Sequence, residues 1–193
     1  MNYDLILQNI SKHTKLDQDE VDFFTSLLEL RTIKRKEFLL RQGEVCKTEH
    51  FIIKGCTRTY TIDQNGYEHI LMFGIEDWWT ADLASFLTSS PSNYFIDALE
   101  DTQVLQITKP KLELLYARIP KFERFFRIII QNAFIAQQTR INQNLSFSAE
   151  QRYADFKKRY PSLDERLPQK QIAAYLGITP VFLSMLRKKM VKK

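Results

Sequence analysis

The sequence predicts an α+β chain: an N-terminal antiparallel β-roll with flanking helices, then a long helix, then a C-terminal helix-turn-helix. Three observations carry that expectation. Short apolar runs broken by turn residues fill the region from about residue 32 to 107, helical periodicity takes over from Thr108, and positive charge gathers in the last quarter. The 193 residues are 44% hydrophobic and 26% charged, an ordinary balance for a globular chain. The expected boundaries are 1–120 for the roll, 121–145 for the long helix and 146–193 for the helix-turn-helix domain.

Two short helices open the chain. Leu5, Ile6 and Ile10 carry the apolar spacing of the first, and Val21, Phe23, Phe24, Leu27 and Leu28 that of the second. Asp17 followed by Glu20 has capping-box spacing, in which each side chain accepts from the other residue's backbone amide. The β runs are Phe38–Leu40, Phe51–Ile53, Thr57–Ile62, His69–Phe73, Tyr94–Leu99 and Val104–Ile107. Gln42-Gly43-Glu44, Lys54-Gly55 and Asp63-Gln64-Asn65-Gly66 separate the early ones, and the Asn-Gly pair tolerates the positive φ of a hairpin. Many short strands at this spacing predict an antiparallel roll or sandwich. A short helix around Leu112, Leu114 and Leu115 ends near Pro120, and Ser148 with Gln151 makes a second capping box for a helix that stops before Pro161.

Several function classes drop out. No apolar run reaches membrane-spanning length, and Met1-Asn2-Tyr3-Asp4-Leu5 lacks the basic and apolar parts of a secretion signal. Two cysteines, Cys46 and Cys56, are too few for a disulfide framework or a zinc cage, so a reducing cytoplasm is expected. The histidines, His13, His50 and His69, stand apart with no metal-ligand or triad spacing. No enzyme, metal or cofactor is expected.

The long helix is apolar on more than one face in its first half. Phe122, Phe126, Ile129, Ala133 and Ala136 make one stripe, while Phe125, Ile128 and Ile135 point elsewhere. A helix covered on one side shows a single stripe, so this one calls for two neighbours. Its own β domain supplies one, and the same helix of a second subunit is the expected other, although a buried helix in a monomer has the same periodicity. The helix turns polar after Gln137.

Residues 146–193 hold 11 Lys/Arg against 4 Asp/Glu, an excess of seven, whereas the rest of the chain holds 17 against 19. A polyanion is the expected partner, nucleic acid foremost. Within this segment Ile172 and Leu176 share a helix face, Ala173 is small at a close crossing, Gly177 supplies a positive-φ turn, and Thr179-Pro180 starts a second helix. Leu183 and Leu186 face back onto the first helix. This is helix-turn-helix spacing, with the second helix destined for a major groove. Its open face carries Val181, Ser184, Met185 and Lys188, with Arg187, Lys189, Lys192 and Lys193 near its end. An ordinary helical hairpin with a solvated basic face has the same pattern.

In this order the motifs resemble those of the CRP/FNR superfamily of bacterial transcription regulators, over nearly the whole chain. Leu39-Leu40-Arg41-Gln42-Gly43-Glu44 and Phe51-Ile52-Ile53-Lys54-Gly55 are similar to the early strands of the family's cyclic-nucleotide-binding-like jelly roll. Gly74-Ile75-Glu76-Asp77-Trp78-Trp79, with Asp82-Leu83 and Ser85-Phe86-Leu87, falls where the phosphate-binding cassette belongs, in a version similar to short CRP-like regulators of the Bacteroidetes type. The resemblance implies a homodimer joined through the long helix, with Phe122, Phe126, Ile129, Ala133 and Ala136 at the interface. It implies a palindromic site on double-stranded DNA, RNA polymerase as a further partner, and a small-molecule effector of unknown identity.

Two departures qualify the resemblance. Cyclic-nucleotide binders hold the phosphate with an arginine shortly before the strand at Tyr94–Leu99, but here Ser89-Ser90-Pro91-Ser92-Asn93 stands there, with no basic residue between Arg58 and Lys109. A buried phosphate without a countercharge is heavily penalised, so cyclic AMP is not expected to bind. The candidate pocket residues are Gly74, Glu76, Trp78, Trp79, Ser92 and Asn93. On the recognition helix, Pro180, Val181 and Met185 occupy positions where many relatives place base-reading charged residues. They cannot make bidentate bonds to guanine, but Val181 and Met185 suit thymine methyls. Gln169, Lys170, Thr179, Ser184 and Lys188 are the expected phosphate contacts. The alternative is a dimeric ligand sensor that has lost sequence-specific DNA binding. The cysteine cluster of the FNR branch is not expected here.

Overall fold

Asp17 accepts a hydrogen bond from the Glu20 amide while Glu20 reaches back to the Asp17 amide, and this closed box starts the second helix of the computed structural model, which describes residues 2–191. Contacts divide the chain into two compact units, Met1–Tyr60 with Met72–Gln131, and Thr61–Leu71 with Asn132–Lys193.

The first unit opens with α1 (Asp4–Ser11) and α2 (Gln18–Ser26), which present Ile6, Ile10 and Phe24 to the core. The strands are β1 (Glu29–Ile33), β2 (Phe38–Leu40), β3 (Thr48–Lys54), β4 (Thr57–Ile62), β5 (Glu68–Gly74), β6 (Trp79–Thr80), β7 (Phe95–Ala98) and β8 (Thr102–Thr108), with α3 (Leu83–Thr88) between β6 and β7. They form two four-stranded sheets, ordered β1-β8-β3-β6 and β2-β7-β4-β5. The pairings of β1 and β3 with β8, and of β2 and β4 with β7, are antiparallel, so distant segments are stitched together in the manner of a roll. The turn at Asp63–Gly66 is the tip of the β4–β5 hairpin, closed by the Gly66 amide donating to the Asp63 carbonyl at 3.0 Å.

Between the sheets and the helices lies an aromatic core. Leu40, Phe51, Ile96, Leu105 and Ile107 meet Leu112 and Leu115 of α4 (Lys109–Arg118) and Phe122, Phe125 and Phe126 of α5 (Lys121–Ser146). Trp79 stands within 5.4 Å of Phe51 and 5.1 Å of Phe126, ring centre to ring centre, in the tilted and edge-on geometries aromatic quadrupoles favour. Here the structure corrects the expected dimer stripe. Phe122 and Phe126 are 0% and 3% exposed because the roll, α2 and α4 cover them, and Phe125 is buried beside them. The first turns of α5 belong to the chain's own core. Ile129 and Ala136 are half-buried and Ala133 is exposed.

In the second unit α5 continues to Ser146, followed by α6 (Ala149–Arg159), α7 (Leu163–Arg166), α8 (Gln169–Leu176) and α9 (Pro180–Val191). The capping box at Ser148 and Gln151 starts α6 as its spacing predicts. Tyr153 and Phe156 of α6 and Tyr160 at its C-cap are buried with Leu163, Ile172, Leu176, Leu183 and Leu186, a separate small core. Phe156 and Tyr160 stand 5.5 and 5.8 Å from Tyr175 of α8, ring centre to ring centre.

Candidate nucleic-acid interface and sensor cassette

α8 and α9 meet through a three-residue turn. Gly177 sits at φ +65, the left-handed conformation that an L side chain reaches only with strain. The Ile178 amide bonds to the Ala173 carbonyl at 3.1 Å, closing the end of α8, and Thr179 Oγ1 accepts from the Phe182 amide at 3.2 Å to cap α9. Ala173, Leu183 and Leu186 are buried at the crossing, so the opposite face of α9 is turned outward. Val181 and Met185 on that face are 72% and 56% exposed, with Phe182 at 38%, an unusual load of apolar surface for a short helix. Thr179, Pro180 and Lys188 are exposed beside them, Ser184 is half-buried, and Lys170 is exposed on α8. Gln169 Nε2 donates to the Pro180 carbonyl, which ties the start of α8 to the start of α9.

Not every expected contact residue is presented. Arg187 turns back into its own unit: Nη2 donates to Asp164 Oδ1 at 2.6 Å and Nε to the Tyr153 hydroxyl at 3.1 Å. Tyr153 in turn donates to the Asp164 carboxylate, so a three-residue network fastens α9 to α6 and α7. Arg187 is thus placed to position α9 within its own unit. Lys189 lies 3.3 Å from Glu150 in an exposed ion pair, which leaves it open to exchange partners. Lys192 and Lys193 lie outside the described residues.

The cassette in the first unit is closed by its own side chains. Asp82, 6% exposed, caps α3 by accepting from the Ser85 amide at 3.2 Å and accepts from the Ser92 hydroxyl at 2.6 Å. Ser85 Oγ donates to the Ser90 carbonyl at 2.6 Å and accepts from the Cys46 amide at 2.9 Å. A buried carboxylate, with Ser92 committed to it, thus stands in the segment where the resemblance to cyclic-nucleotide binders places a phosphate site. Glu76 Oε1 accepts from the Gly55 amide at 2.9 Å. Trp79 is packed in the aromatic core, its Nε1 donating to Asn9 Oδ1 at 3.3 Å, and Trp78 is half-buried. A Cβ on Gly74 would come within 2.6 Å of Thr57 Oγ1, so that glycine serves close packing. Asn93 is exposed. Asp82 is the residue that sequence reasoning passed over as a pocket determinant. Its cue was an acid in a stretch where an anion site needs a cation.

Comparison with known proteins gives this architecture its class. A model of the cyclic nucleotide-binding domain matches residues 30–118. The anaerobic regulatory protein of Haemophilus influenzae is 26% identical over 185 residues, an overlap taking in 89% of this chain and 70% of that protein. The fumarate and nitrate reduction regulatory protein of Vibrio cholerae is 25% identical over 185 residues, covering 89% and 72%. Among solved structures, FixK2 from Bradyrhizobium japonicum superposes with a TM-score of 0.73 at 16% identity, over 86% of this chain and 85% of that one, a likeness of fold. A roll of the cyclic-nucleotide-binding type is followed here by a helix-turn-helix, and the relatives it resembles are named as regulatory proteins. The likeness to these regulatory proteins over most of the chain supports a regulator of the CRP/FNR type.

The iron–sulfur centre of the FNR branch does not fit this chain. Such a centre takes four cysteine thiolates, and the sequence has two cysteines, both buried. Among the described residues no group of three His, Cys, Asp or Glu is placed to hold a metal ion, and no helix is long and apolar enough to cross a membrane.

Proposed function

We propose that this regulator acts in the cytoplasm as a homodimer on double-stranded DNA, with α9 as its recognition helix and without cyclic AMP as its effector. The observation that carries the reading is the outward face of α9. Val181 and Met185 are largely exposed, Lys188 stands beside them, and the segment from residue 146 onward has seven more positive than negative residues. Exposed apolar groups flanked by cations suit a major groove, where the apolar groups meet thymine methyls and the cations meet phosphates. Gln169, Lys170, Thr179, Ser184, Lys188 and Lys189 take the phosphate-contacting role, while Pro180, Val181 and Met185 face the base edges. The preference that follows is A·T-leaning, at a palindromic site read by two copies. RNA polymerase is the further partner of a regulator working at a promoter.

The dimer surface in this reading lies on the later turns of α5, where Ile130, Phe134, Ile141 and Leu145 are exposed at helical spacing. A small effector remains part of the reading, but its binding ground is not a nucleotide cassette that already holds the Asp82–Ser92 pair.

Retention of labelled genomic fragments by the purified protein tests the proposal. Selected fragments are retained, and affinity falls as salt rises because cations on the protein displace counterions from the phosphates. Lys188→Glu weakens binding to all sequences alike and lowers the salt slope, by about one or more. Absence of retention at low salt would leave the dimeric sensor without specific DNA binding as the better reading.

A further inference from the structure

A cavity of about 370 Å³ lies wholly within the second unit, walled by the later turns of α5, by α6 and by the end of α8. The DNA-binding and dimer surfaces leave it unused. Its wall carries Arg140, Arg152, Lys158 and Arg159 against one carboxylate, Asp155. Asp155 Oδ2 already accepts from Gln143 Nε2 at 2.7 Å. Arg140 is held in place by donating to the carbonyls of Ile70 at 2.7 Å and Tyr175 at 3.1 Å, with its guanidinium 3.8 Å over the Tyr175 ring. Arg152 Nη1 donates to the Phe147 carbonyl at 2.9 Å.

These anchors leave donors unmet. Arg140 Nη1 and Arg152 Nε are both buried without a partner in the protein. A buried guanidinium N–H that has lost water and gained no acceptor is costly, and two on the wall of one cavity call for an acceptor of opposite charge. Planar guanidinium forks match carboxylate and phosphate oxygens pairwise. The volume sits near the lower end for small-molecule sites, which favours a compact ligand.

We propose that this cavity binds a small multivalent oxyanion, a phosphate ester or polycarboxylate of metabolite size, held between α5, α6 and α8. Because α8 is the first helix of the helix-turn-helix, the bound anion would brace the DNA-reading pair against α5. The binding step itself goes beyond the DNA reading and does not depend on it.

Calorimetric titration of the full chain, without DNA and at ionic strength matched with sodium chloride, tests the site. The probes are inorganic phosphate, pyrophosphate and citrate. Saturable binding of one anion per chain is expected for at least one of them, and preference for pyrophosphate or for citrate assigns the phosphorylated or the carboxylate class. Affinity falls about tenfold in Arg152→Gln or in Lys158→Gln, as expected on losing one charge-assisted contact. Lys158 is exposed, so its variant keeps the fold and remains a valid probe if Arg152→Gln unfolds. No saturable binding by any of the three anions, or wild-type affinity in both variants, overturns the proposal.

Discussion

Glu49 is 7% exposed in β3, and burial raises its pKa to about 7. Its neighbour His50 is 1% exposed, and burial lowers its pKa to about 4, only partly opposed by the Thr80 carbonyl 3.3 Å from Nδ1. The two groups give stability slopes of opposite sign. A carboxyl whose folded pKa is raised stabilises the fold below its unfolded value near 4.5, and that contribution is lost as pH rises through about 7. A histidine held neutral contributes above its unfolded value near 6.5, and the contribution is lost as pH falls through about 4. Glu49→Gln removes the first slope. The variant should be more stable than wild type at pH 8 by about 3 kcal/mol and nearly equal to it near pH 4.5, as read from urea denaturation at the two pH values. An equal difference at both pH values would mean that packing, not charge, governs the site. The sequence gives little warning of Glu49, since an acid in a strand reads as a solvent-facing residue until the neighbouring strand β8 is in place beside it.

Among the elements, α5 shows what periodicity reveals and what it hides. Its extent and its multi-faced apolar character follow from spacing alone. Which face meets which neighbour does not, because an apolar stripe carries no name for its partner. Phe122 and Phe126 fill the chain's own core, and the unpartnered surface moves down the helix to Phe134 and Ile141, seven residues apart and 62% and 59% exposed. Phe134→Glu should convert the proposed homodimer to monomer in sedimentation velocity while leaving the unfolding free energy of the roll within about 0.5 kcal/mol of wild type, as surface changes generally do. A variant that stays dimeric moves the interface elsewhere. The two capping boxes were legible because each is set by residues three apart. β1 was not, since its exposure pattern lacks the alternation that marks a half-buried strand and its register is set by β8, far along the chain. The tie of Arg187 to Asp164 is unreadable for a similar reason: the two are 23 residues apart, and Asp164 lies on a short helix with no periodic signal.

At the scale of the whole molecule, the roll gives the fold class and the C-terminal charge motivates the proposed partner, and both features are visible in the sequence. The state of the cassette is not, because it depends on Asp82 and Ser92, ten positions apart, meeting in a turn-rich segment. The expected outcome with cyclic AMP is silence. A ligand at a hundred times its Kd raises unfolding free energy by about 2.7 kcal/mol, so cyclic AMP at about 1 mM should leave the melting midpoint unchanged. A concentration-dependent rise would reverse the reading of this segment.

The internal pairing of that aspartate and serine also bears on how such a chain could change over generations. Placing an arginine at Ser92 by itself would create an ion pair with the acid beside it and neutralise the new cation before any nucleotide arrived. Removing Asp82 alone would strip α3 of its cap and still supply no countercharge. A nucleotide site in this segment therefore lies at least two substitutions away.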